Sequence, residues 1–223
     1  MDGVTGDLFG PARRFAGLPE EAFRAFGIPD HERRRRALVE GFHPALRVLG
    51  EDLVEALGLD LHLHLPRLDW PPGYRPFCTW LALSPERHGY QGQAQLNIGV
   101  HADHVGLRLG WDTAADRFGR FVFLARFGGV GEGLAAVAAG HGLAFRVYAS
   151  APWPEGSRLV FASDRDWTGS LEVARCRGVW WEVGVRLDLP SCASRVLGPG
   201  LGLEAERIFR PLLPVLERLT GAP

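Results

Sequence analysis

The chain contains no lysine, so all 25 of its Lys-plus-Arg positions are arginine. That absence excludes Schiff-base catalysis and lysine general bases, and leaves guanidinium groups to do any cationic work at neutral pH. Cysteine is scarce too. Cys78, Cys176 and Cys192 lie far apart, form no CxxC pair and are odd in number, so they give no disulfide framework. They read as reduced thiols of a cytoplasmic protein. Long apolar runs are also missing. No stretch approaches the roughly 18 residues of a membrane helix, and the opening MDGVTGDLFGPARRF has no apolar h-region, so neither membrane insertion nor secretion is expected. Net charge is nearly absent, at −1. Whole-chain electrostatics therefore favour neither nucleic acid nor an anionic membrane, and any anion binding has to come from a local cluster.

Catalytic signatures are equally thin. There is no GxSxG elbow for a serine nucleophile, and GGVGEGLAAV at 128–137 has glycines before a helix but no GK[ST] to hold a phosphate. The run Arg33-Arg34-Arg35-Arg36 looks like an anion site, but four successive helical residues fan over more than about 300°. With Glu32 and Glu40 beside them, these arginines read as a solvated helix face.

What is present is a well-patterned α+β chain. With 46% hydrophobic residues over 223 positions it can bury a full core, and we expect one domain over 1–223, with 1–17 as a flexible leading segment. LPEEAFRAFG predicts a short helix. The next stretch places Val39, Phe42, Leu46, Leu49, Leu53 and Leu57 at three-to-four-residue steps, predicting a helix capped by Asp30 and kinked or divided at Pro44.

From residue 61 the period changes to two. LHLHL at 61–65, FCTWLALS at 77–84, AQLNIGVHADHVGLRLGW at 94–111, LAFRVYAS at 143–150 and GVWWEVGVRLDL at 178–189 read as strands. Segments around 117–140 and the Pro-interrupted LEAERIFRPLLPVLERL read as helices, whereas 158–176 is ambiguous. Strands in local meanders without βαβ alternation predict a two-layer sandwich, an antiparallel-rich twisted sheet with helices packed on one face.

The parity of these strands sorts their side chains. If the hairpin turns at Ala102-Asp103, then Ala94, Leu96, Ile98, Val100, Val105, Leu107, Leu109 and Trp111 share the core face. The other face carries Asn97, His101, His104 and Arg108 around a Gly99-Gly106 pair, a flat gap open to a backbone, a ring or a ligand. Extending the parity adds His62 and His64, then Arg146 and Tyr148, then Trp180, Glu182 and Arg186. The other six tryptophans, Trp70, Trp80, Trp111, Trp153, Trp167 and Trp181, read as core or loop anchors.

An antiparallel sheet often has a wet polar face with no function attached. The mixture of His, Arg and Trp around glycines nevertheless suits a small anionic or planar ligand, bound by His64, Asn97, His101, Arg108, Arg146, Trp180, Glu182 and Arg186. Two alternatives use the same face. One is a metal-dependent enzyme with His62, His64, His101 and His104 as ligands, the HxH spacing putting the first two on one side of a strand. The other is an interaction module that forms a homodimer or binds nucleic acid there. The sequence specifies no cofactor.

Several of these segments, in this order, also carry a resemblance. FHPALRVLGEDL at 42–53, TWLALS at 79–84, RHGY at 87–90, QLNIGV at 95–100 and DHV at 103–105 together resemble the YktB-like family of uncharacterised bacterial proteins over about residues 20–150. The resemblance implies a two-layer α/β sandwich and no particular activity.

Overall fold

A computed structural model of the chain describes residues 14–58, 60–67, 76–88, 92–114, 117–150 and 157–221. Residues 1–13 of the leading segment, and Trp70 and Trp153, lie outside these ranges. Arg14 and Phe15 bond to Asp52. The backbone N–H groups of Arg14 and Phe15 each donate to Asp52 Oδ2 at 2.8 Å, Arg14 Nε donates to Oδ1 at 3.1 Å, and Phe15 is buried.

Among the described residues, seven strands form one antiparallel sheet: β1 (His62–His64), β2 (Cys78–Ser84), β3 (Gln95–His101), β4 (His104–Asp112), β5 (Ala144–Ser150), β6 (Ser157–Ser163) and β7 (Trp180–Asp188). Their order is β1-β2-β3-β4-β7-β5-β6, so β4 and β7 meet at the centre although almost 70 residues of chain separate them. The helices are α1 (His31–Leu57), α2 (Phe118–Phe127), α3 (Val130–His141), α4 (Trp167–Arg177), α5 (Leu189–Val196), α6 (Gly200–Phe209) and α7 (Leu213–Thr220). Against the sheet, α1 packs on β1 and β2, α6 on β4, and α4 on β5, β6 and β7. This is the expected two-layer α+β arrangement. No single helix among the described residues is long and apolar enough to cross a membrane.

The core follows from strand parity. Leu96, Ile98, Val100, Val105, Leu107, Leu109, Trp111, Trp181 and Val183 all point to the helical layer, each at most 3% exposed. Burying side chains of this size stabilises the fold by about 1.5–3 kcal/mol each. The same parity sends every second residue to the opposite, helix-free face.

Several local expectations are corrected. Pro44 does not divide α1, which runs unbroken with Asp30 accepting the Arg33 N–H at 2.8 Å and Gly58 (φ 68°) closing its end. Proline removes one helical donor, but Phe42 and Leu46 on either side are fully buried and hold the helix against the sheet. Leu38, rather than Val39, starts the buried stripe. The stretch LPEEAFRAFG forms a 3-10 turn over Glu20–Gly27. The last strand ends at Asp188, one residue before the expected end, because Pro190 cannot donate to a ladder and suits the first turn of α5. The ambiguous 158–176 region divides into β6 and α4, with Asp166 accepting the Gly169 N–H at 2.7 Å as the cap.

Candidate functional site

The site begins at the hairpin. Ala102 and Asp103 connect β3 to β4 in the expected register, with Val100 opposite Val105, Gly99 opposite Gly106 and Asn97 opposite Arg108. Strand β7 then places Gly184 opposite Arg108 and Glu182 opposite Gly110, and β5 places Arg146 opposite Glu182 and Tyr148 opposite Trp180. Arg108, Arg146 and Arg186, from three strands, thus share the helix-free face and line a single cavity of about 520 Å³. That volume lies within the 300–1,000 Å³ typical of small-molecule sites.

Its floor is built around one buried carboxylate. Glu182 is 3% exposed. Its Oε2 forms an ion pair with Arg108 Nη1 at 2.9 Å and accepts Trp180 Nε1 at 3.0 Å, while its Oε1 accepts the Tyr148 hydroxyl at 3.4 Å and lies 3.9 Å from Arg146 Nη1. Arg146 Nη1 also donates to the Gly184 carbonyl at 3.1 Å. Arg108 Nε donates to Asn97 Oδ1 at 3.1 Å, and Asn97 Nδ2 donates to Gln95 Oε1 at 3.4 Å. A carboxylate in this position neutralises and orients arginines; it is unavailable as the ligand contact the sequence assigned to Glu182. Burial, followed by the Glu182 charge, pushes the Tyr148 hydroxyl up to about 12, so it stays a proton donor.

The glycine gap is not empty space. A Cβ on Gly99 would overlap the Arg108 guanidinium, one on Gly106 would lie 3.4 Å from Arg108 Nη1, and one on Gly110 would overlap the Trp180 indole. The chain's own Arg108 and Trp180 lie flat on the bare backbone, and the guanidinium carbon sits 5.9 Å from the Trp180 ring centre. The glycines therefore lower the floor of the cavity rather than admit a ligand to the backbone.

A second group occupies the hairpin end. His101 and His104 stack with ring centres 4.1 Å apart and planes 7° from parallel. His104 Nδ1 donates to Asp103 Oδ1 at 2.6 Å, and Arg186 bridges Asp103 Oδ2 at 2.8 Å and Asp188 Oδ1 at 2.6 Å. Burial lowers the pKa of His104, with Arg186 acting in the same direction against Asp103. Burial and then Arg108 hold His101 well below the usual imidazole range. Both shifts favour the neutral ring. His101 Nε2 is buried and has no hydrogen-bond partner among the described residues.

Other candidate residues fall outside this cavity. His64 faces the same side of the sheet, but its Nε2 lies 3.1 Å from both Ser84 Oγ and the Glu86 carbonyl. A carbonyl only accepts, so that nitrogen carries the proton. The four-histidine metal set does not converge: His64 pairs with Ala82 and His101 with Cys78, four residues along β2. At about 3.3 Å per residue those levels are ~13 Å apart, and no three metal-ligating side chains cluster among the described residues. Trp80, expected as an anchor, lines the cavity. So does Cys78, where burial pushes the thiol up to about 12. Trp111 and Trp181 are core residues, as expected. The Arg33–Arg36 run disperses: Arg34 Nε donates to the Ile28 carbonyl at 2.8 Å, and Arg35 pairs with Glu32. Gln95, Asp112 and Leu159 also line the cavity and were not among the candidates. Gln95 and Asp112 share the parity of Asn97 and Arg108, although the expected strand stopped at Trp111; β6 gave no such signal for Leu159.

Residues 19–115 match a family model described as a domain of unknown function, DUF1054. The chain is similar to a UPF0637 protein of Exiguobacterium sibiricum, 29% identical over 96 residues, or 41% of this chain and 48% of that protein. A UPF0637 protein of Oceanobacillus iheyensis is 29% identical over 97 residues, 42% of this chain and 47% of the relative. One of Enterococcus faecalis is 30% identical over 94 residues, 40% and 46% of the two chains. The chain thus spans about half the length of the curated relatives it matches. The family match carries α1 and β1 to β4, hence Asn97, His101 and Arg108, and stops short of the residue 150 that the sequence resemblance reached. Arg146, Trp180, Glu182 and Arg186 lie beyond it. None of these names states an activity.

Proposed function

We propose that the chain binds a small, planar, anionic molecule in the cavity on the helix-free face of its sheet. The observation that carries this reading is the convergence of Arg108 and Arg146, from β4 and β5, on one cavity walled by Trp80, Tyr148 and Trp180. Paired guanidinium groups recognise carboxylate and phosphate through charge-assisted hydrogen bonds. Trp180, resting on Gly110 with the Arg108 guanidinium carbon 5.9 Å from its ring centre, lines the cavity as an aromatic surface for a planar group. Asn97 fixes the Arg108 side chain, and His101 and Arg186 border the hairpin end. His64, bonded to Ser84 and Glu86 at the sheet edge, is left out of this reading. The chemistry assigned to the site is binding, with no covalent step. Cys78, Cys176 and Cys192 are free thiols, in keeping with a reducing cytoplasm as the place of action.

Thermal unfolding in the presence of small carboxylates and phosphates, each at millimolar concentration, tests the reading. At least one should raise the midpoint of the native chain and fail to do so in Arg108→Gln and Arg146→Gln. Equal stabilisation of native and substituted proteins, or none by any anion, refutes it.

A further inference from the structure

We infer that the cavity selects a ligand bearing a single negative charge on a planar group, an aromatic monocarboxylate, over a doubly charged phosphate. This rests on the proposed anion site and specifies its ligand. Three guanidinium groups line the cavity, but they are not equally available. Arg186 already spans two carboxylates, Asp103 and Asp188. Arg108 and Arg146 share one, Glu182. That pair alone carries one positive charge beyond its carboxylate, whereas Asp103 and Asp188 outnumber Arg186 by one, so the local surplus sits on Arg108 and Arg146 and not on the site as a whole. Asp112, a fourth carboxylate, lines the same cavity and opposes further negative charge. Burial disfavours the charged form of both histidines.

The free donors point to the same class. Arg108 commits Nε to Asn97 and Nη1 to Glu182, and its Nη2 has no hydrogen-bond partner among the described residues. That Nη2 and the unpartnered His101 Nε2 are both among the three nearest atoms to the position a Cβ would take on Gly99. With the Nε2–H tautomer, His101 donates to one carboxylate oxygen while Arg108 Nη2 donates to the other. Stacking on His104 holds the imidazole plane for that bond. The Trp180 ring, 5.9 Å from the Arg108 guanidinium carbon, then lies where an aromatic ring attached to the carboxylate would stack.

The test compares four probes by calorimetric titration at pH 7.5 on the full chain: benzoate, phenyl phosphate, benzamide and inorganic phosphate. Benzoate should bind at least tenfold more tightly than phenyl phosphate or benzamide. His101→Phe keeps a planar ring against His104 but removes the donor, and should weaken benzoate about tenfold or more, the usual loss of a hydrogen bond to a charged group. Should Arg108→Gln fail to fold, this variant still tests the geometry. Phenyl phosphate or inorganic phosphate binding as tightly as benzoate, with loss in Arg146→Gln, overturns the single-charge inference and leaves the anion site standing. Failure of all three anions to bind overturns both. Unchanged benzoate affinity in His101→Phe removes the histidine from the site and overturns the inference.

Discussion

Replacing Glu182 with leucine is the sharpest test of the architecture. The substitution keeps side-chain bulk and leaves Arg108, with its side chain 12% exposed, and Arg146, 17% exposed, facing each other without their shared counter-ion. It also takes the acceptor from Trp180 Nε1 and the Tyr148 hydroxyl. Breaking a buried ion pair from one side costs about 3–5 kcal/mol. Both arginines border an open cavity, where water relieves part of the cost, so we expect about 3 kcal/mol. For a chain of this size that lowers Tm by about 6–12 °C, at roughly 2–4 °C per kcal/mol. Urea unfolding followed by tryptophan fluorescence measures the loss directly. Removing Arg108 as well should restore part of it, so that Arg108→Leu with Glu182→Leu costs less than the sum of the single changes by about 1–3 kcal/mol. A loss under ~1 kcal/mol, or strict additivity, would mean that solvent screens these charges and that Glu182 does not organise the floor.

Two further outcomes are expected. His43, His64, His101 and His104 all have lowered folded-state pKa values, burial being the leading cause in each. As pH falls below about 6.5 the unfolded chain takes up protons that the folded chain does not, so the urea midpoint should drop between pH 7.5 and 5.0 and recover above; His101→Phe should flatten part of that slope. A midpoint independent of pH over this range contradicts the burial assigned to these rings. Cys78, its thiol pushed up to about 12, should alkylate more slowly at pH 8 than the exposed Cys176, as peptide mapping after brief iodoacetamide treatment would show. Faster labelling of Cys78 would mean that the cavity wall opens in solution.

Much of this protein can be read one strand at a time. Which residues of β3, β4, β5 and β7 face the helices follows from the two-residue period of an extended chain, a property of local covalent geometry. The hairpin register followed from a two-residue turn between alternating runs, and the helix cap at Asp30 from its place before an apolar stripe. Only tertiary structure decided what those faces meet. The same parity put His62, His64, His101 and His104 on one side of the sheet, yet strand register leaves the two pairs at different levels. It also put Glu182 beside the arginines without showing that it would be buried beneath them, because that depends on β7 inserting between β4 and β5. The use of Gly99 and Gly110 as beds for Arg108 and Trp180 depends on side-chain direction, which alternation does not encode. A side chain's facing is settled by its own backbone, but its neighbours across the sheet are set by hydrogen bonds to strands distant in sequence, and the cavity is made of those neighbours.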